Sequence, residues 1–156
     1  MPDLSRILKA DTPLTLAQVA RGAQPLVMAD LARASTGRAV FIAPDDSAMR
    51  AIVDAAAFFA PELEVIEFPA WDSLPYDRAS PALSISARRL SALFRLQAGK
   101  AKAQLVVTTA NAVLQRVLSP FRIRESVREF KPGMEIGRKS LGLLLQKQGY
   151  GRTDTV

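Results

Sequence analysis

Three short runs constrain the fold of this chain more than any other feature: AVFIA at 39–43, LEVIEF at 63–68 and QLVVTT at 104–109. Each is strand-like in length and content, and the first and last are apolar enough to read as strands buried on both faces of a sheet. Helical patterns stand between them. PLVMADLARAS (25–35) places Pro25 in a first turn and predicts a helix closing near Gly37. DDSAMRAIVDAAAFFA (45–60) opens on carboxylates, carries Met49, Ile52, Val53, Ala56 and Phe59 at helical spacing, and stops at Pro61. LSISARRLSALFRL (83–96) sets Ala87, Leu90, Leu93 and Phe94 on one side, leaves Arg88, Arg89 and Arg95 mostly on the other, and ends at Gly99. ANAVLQRVL (110–118) reads as a short helix, and LTLAQVA (14–20) as a strand or a helical turn. Strand and helix in alternation predict an α/β fold, with a parallel sheet and right-handed crossovers.

Around SPFRIRES (119–126) this rhythm breaks. The alternating SVREF (126–130) predicts an exposed strand, KPG a turn, and RKSLGLLLQKQG (138–149) a helix. The expected domains are therefore 1–122 and 123–156. The second is the start of a small α+β unit, with too little chain to enclose a core of its own.

Chemistry is narrowed by what the chain lacks. It has no cysteine and no histidine, which removes thiolate nucleophiles, disulfides, most zinc sites and histidine-based acid–base pairs. The place for a phosphate-cradling loop is ARGAQPLVMADLA (20–32), where Gln24 and Pro25 stand in place of the required lysine and hydroxyl residue. Asp45 and Asp46 open a helix and read as a cap rather than a metal site. The expectation is no catalytic residue, no metal and no cofactor. No apolar run reaches the ~20 residues of a membrane span, and the first residues lack the apolar core of a secretory signal, so a cytoplasmic location is expected. Charge is uneven. Residues 1–86 hold 7 Lys/Arg and 11 Asp/Glu, whereas 87–156 hold 14 and 4. The basic half suits an acidic partner, nucleic acid or protein, unless its charges are merely solvated helix faces. Aromatic residues are not interleaved with the cations, so no base-stacking platform is visible.

One stretch departs from this composition. FPAWDSLPYDRASP (68–81) holds the sole tryptophan, Trp71, with Tyr76 and three prolines. Together with the helix bearing Arg89 and Leu90, and with LVVTTANAVLQRV (105–117) and KPGMEIGRKSLGLLLQKQGY (131–150), it resembles the N-terminal region of the bacterial transcription-repair coupling factors. Trp71, Leu74, Pro75, Tyr76, Arg89 and Leu90 carry that signature. The region also resembles the damage-verifying helicase of the nucleotide excision repair excinuclease. The resemblance implies a first lobe like a helicase lobe whose phosphate loop is degenerate. The chain also lacks the long DNA-probing hairpin of that helicase, since fewer than ten residues separate Tyr76 from the next helix. Trp71 and Tyr76 are then expected to anchor a rigid connector.

What the resemblance implies for function is recruitment. The module would bring the excinuclease protein UvrA to stalled RNA polymerase, and it would not catalyse. RNA polymerase and DNA would be engaged by other parts of the full-length, ATP-driven protein. The family's contact motif, G-E-Y-x-x-R-G, is expected beyond Val156, so the chain reads as a fragment with an incomplete interface. Arg138, Lys139, Lys147 and Arg152 are its candidate partner-facing cations. The competing reading is an autonomous basic α/β domain that binds nucleic acid; a small enzyme is disfavoured by the missing residue types.

Overall fold

The computed structural model describes residues 4–35, 38–73, 80–98, 103–147, 150, 151 and 153. Leu74, Pro75, Tyr76 and Arg152 lie outside the described residues, as do the expected helix stops Gly37 and Gly99. The chain divides into two compact units, Met1–Val117 and Leu118–Val156, slightly ahead of the boundary expected from sequence.

The first unit is α/β. Its strands β1 (Ala39–Ala43), β2 (Glu64–Phe68) and β3 (Gln104–Thr109) form a parallel sheet in the order β1-β3-β2. The central place of β3 explains why its whole QLVVTT run is buried. Both threonines are satisfied there: Thr108 Oγ1 donates to the Phe68 carbonyl at 2.8 Å, and Thr109 Oγ1 accepts from the Ala112 N–H at 3.3 Å. β1 corrects an expectation. It lies at the sheet edge, and Val40 and Ile42 are 56% and 53% exposed, so only one of its faces is covered.

Successive strand residues point to opposite faces, and the helices divide accordingly. On one face, α2 (Gln24–Ala34) and α3 (Asp46–Phe59) bring Ala29, Ala32, Met49, Ile52 and Ala56 against Leu105 and Val107. On the other, α4 (Leu83–Gln97) and α5 (Ala110–Leu114) place Ala92 and Ala112 with Ile66, Phe68 and Val106. Alanine at these contacts lets the helix backbones sit close to the strands. Phe59, expected in the core, is instead exposed and packs edge-on against Phe58, with ring centroids 5.2 Å apart. A short helix, α1 (Leu4–Leu8), leads in, and residues 14–20 form neither strand nor helix; Gln18 is held at φ 58°, in the left-handed region.

The second unit holds α6 (Pro120–Ser126) and α7 (Arg138–Lys147). α6 is absent from the sequence expectations, although Ser119-Pro120 is a helix-start signal: the Ser119 hydroxyl accepts from the Arg122 N–H at 3.4 Å, and Pro120 sits in the first turn. The expected strand at 126–130 does not form. Ser126 closes α6, the Val127 N–H bonds back to Ile123, and the backbone then runs irregularly to a turn with Gly133 at φ 87°. Alternation alone cannot hold a strand when no neighbouring strand among the described residues offers it hydrogen bonds.

Candidate functional site

Trp71 stands at the centre of the best-defined polar constellation in the first unit. As the chain leaves β2, the Trp71 N–H donates to Gln115 Oε1 at 2.8 Å. Arg89 rises from α4 between two aromatic rings, its guanidinium carbon 4.3 Å from the Phe68 centroid and 4.4 Å from that of Trp71. Arg89 Nη1 also donates to the Pro69 carbonyl and to Gln115 Oε1, the latter at 3.1 Å. Only 2% of Arg89 is exposed, and Nη2 has no hydrogen-bond partner among the described residues. Burial accordingly draws its pKa below the ordinary arginine value. This reverses the expectation that Arg89 lies on the polar side of its helix. Arg89 is core, while Ala87, expected inside, is exposed and Leu90 is half-buried.

Gln115 explains a second correction. The helix expected over 110–118 stops at Leu114, because Gln115 turns extended (ψ 143°) and its amide becomes the acceptor shared by Trp71 and Arg89. Asp72 completes the knot by accepting from the Ala82 N–H at 3.2 Å, which fixes the entry to α4. A cation, two rings and an amide make a mechanical anchor. Asp72, the carboxylate of the knot, is taken up by the Ala82 N–H, and the Thr108 hydroxyl by the Phe68 carbonyl.

The other arginines of α4 are consumed by acids of β2. Arg88 pairs with Glu67 at 3.0 Å and Arg95 with Glu64 at 2.9 Å. Glu64 also accepts from Gln104 Nε2 at 2.7 Å, and Gln104 in turn accepts from Arg38. The Gln104 bond, followed by the Arg95 interaction, holds the Glu64 carboxyl below the usual carboxylate range.

Open α/β sheets bind ligands beyond the carboxyl ends of their strands, and a hollow of about 590 Å³ lies there, at the end of β1. Its lining includes Arg21, Gln24, Pro25, Phe41, Asp45 and Ser47. Gln24 and Pro25 begin α2, upstream of the first strand, so they do not form the strand-to-helix turn expected of them. That turn is Pro44-Asp45, between β1 and α3. There the Asp45 carboxylate accepts from the Ala48 N–H at 2.8 Å, capping the helix as expected. Its negative charge therefore occupies the place where helix N–H groups would meet a phosphate. No cluster of three or more potential metal ligands occurs among the described residues.

In the second unit, α7 is the contrasting case. It has no buried residue and no acid in its first turn, where Arg138 and Lys139 face the positive end of the helix dipole. Neither cation, nor Lys147, has an ion-pair partner among the described residues. A hollow of about 740 Å³ follows this helix, bordered by Arg138, Lys139, Leu143, Leu145, Gln146 and Tyr150. The Tyr150 N–H reaches back to the Leu145 carbonyl at 3.0 Å and seats the ring at its end.

Known proteins of one kind match this sequence. It is 28% identical to the transcription-repair-coupling factor of Haemophilus influenzae over 90% of the chain, and 28% identical to that of Escherichia coli over 96%. The Myxococcus xanthus transcription-repair-coupling factor is 31% identical over 83% of the chain. The chain belongs to the transcription-repair-coupling factor family. It spans 12%, 13% and 11% of the length of those three relatives. No family profile matches it, and no solved structure does.

Set against this coupling-factor kinship, the structure brings together two of the signature residues, Trp71 and Arg89, and adds Phe68, Pro69 and Gln115, which sequence reasoning misses. Phe68 ends a recognisable strand. Gln115 offers only the faint signal of a polar residue inside the apolar run NAVLQRV. Arg138 and Lys139 adjoin on α7, and Lys147 stands at its far end. No helix among the described residues is long and apolar enough to cross a membrane.

Proposed function

We propose that this chain is the N-terminal recruitment module of a transcription-repair-coupling factor, acting in transcription-coupled repair by presenting its second unit to the excinuclease protein UvrA. In this reading the first unit is a non-catalytic scaffold, and its helicase-like lobe carries no working phosphate loop. RNA polymerase and DNA are met by other parts of the full-length protein. The observation that carries the reading is the similarity to coupling factors along 83–96% of the chain. The Asp45 cap supports the non-catalytic part, because a carboxylate at the head of α3 repels the anion that a nucleotide site must hold.

Two titrations test the proposal. Calorimetry with Mg·ATP should give no heat of binding, and a micromolar dissociation constant would refute the scaffold reading. Sedimentation with purified UvrA should show weak, micromolar association that strengthens when the chain is extended through the G-E-Y-x-x-R-G segment. Absence of association in both forms would refute recruitment.

A further inference from the structure

From the α7 hollow we infer a more specific partner chemistry, resting on the recruitment reading: it receives an acidic, leucine-bearing protein segment. Among the described residues, the lining carries two cations, Arg138 and Lys139, and no acid. Both cations lack ion pairs among the described residues, and both stand at the helix end where the dipole adds to their charge rather than offsetting it. Arg33, by contrast, is matched to Asp30 and Glu62, and Arg88 to Glu67. Among the described residues no acid supplies the complementary charge for α7.

The rest of the lining decides between kinds of acidic partner. Leu143 is 61% exposed and Tyr150 66%, with Leu145 beside them. Leucines at the mouth of a basic hollow favour apolar side chains on the partner, with carboxylates at the basic end. A phosphate backbone would leave those leucines uncovered. A single tyrosine gives no series of rings on which successive bases stack. The hollow is open along one helix, which suits an amphipathic segment laid alongside it, as in helix-in-groove recognition.

Fluorescence anisotropy of the 156-residue chain with a labelled peptide of alternating glutamate and leucine pairs tests this. Binding should weaken steeply with salt and fall about tenfold in the Arg138→Glu/Lys139→Glu variant, the loss of two exposed charge contacts. That variant places acids in the first turn of α7, so circular dichroism should show an intact fold. Leu143→Ser should weaken binding while leaving the salt slope unchanged. A glutamine-for-glutamate peptide that binds equally well would overturn the inference, as would indifference to the charge reversal. So would tighter binding of a single-stranded or duplex oligonucleotide than of the peptide. If the peptide fails while UvrA still associates, this inference falls and the recruitment reading stands.

Discussion

Two arginine-bearing helices, α4 and α7, carry adjacent cations, Arg88-Arg89 and Arg138-Lys139, yet use them in opposite ways. On α4 the charges are internal fasteners: Arg88 and Arg95 reach the acids of β2, and Arg89 lies between Phe68 and Trp71. On α7 no acid among the described residues is within ion-pair reach, no side chain is buried, and the charges face solvent. Both helices belong to the basic half of the sequence, and charge counting treats them alike. The acids that neutralise α4 come from a strand, 21 residues before Arg88 and 31 before Arg95 in the chain, brought alongside by the crossover. A basic stretch therefore reports on a partner only after its own sheet has taken its share.

The comparison breaks most readily at Arg89. Arg89→Ala should cost about 3 kcal/mol or more, because it empties a buried site and leaves the Pro69 carbonyl and Gln115 amide short of a donor. Arg89→Met should cost less than Arg89→Ala, since it fills the space between the rings without a buried charge. Urea unfolding followed through Trp71 fluorescence measures both. Equal losses would mean that the guanidinium's bonds, rather than its packing, hold the site.

Next in size is Trp71→Ala. The ring is half-buried, so the expected loss is about 2 kcal/mol, below the ~3–5 typical of a fully buried tryptophan. It reads out as a lowered Tm with nucleic-acid affinity unchanged. An unaltered Tm would remove Trp71 from the anchor.

Acid sharpens the contrast further. The Glu64 pKa is lowered in the folded protein, so its contribution is present above the unfolded carboxylate value and is lost as pH falls through the folded one. Thermal melts should show the wild type losing stability on acidification more steeply than Glu64→Gln. Parallel curves would show that the ionised Glu64 carboxylate adds no pH-dependent stability to the fold.

The smallest effect is expected on α7. Arg138→Glu/Lys139→Glu should cost no more than ~0.5 kcal/mol of stability, since neither side chain holds anything in place and acids in a first turn favour the helix. A larger loss by denaturant titration would mean that α7 uses its cations as α4 does.

Much of the first unit is legible in the sequence, because its strands are short β-type runs and its helices have clear periods and stops. Arg89 is not. In the helical pattern of 83–96 it occupies a position where an arginine normally marks solvent, and only the two rings converging from Phe68 and Trp71 make the interior acceptable to it. The exposed face of β1 is hidden for a related reason, since AVFIA has the composition of a central strand and its edge position is decided by strand order. The extent of α5 turns on a single glutamine amide and a backbone N–H that are distant in sequence. In the second unit the Ser119-Pro120 start of α6 is readable in principle, while SVREF alternates without a neighbour to make alternation matter.

The central claim is that α4 spends its cations within its own unit, whereas α7 offers Arg138 and Lys139 to a protein partner. Its most direct test is a binding titration of UvrA against the wild-type chain and the Arg138→Glu/Lys139→Glu variant, over a range of salt. The account predicts weak, salt-sensitive binding that drops about tenfold on reversal. Salt-independent binding that ignores the reversal would contradict it.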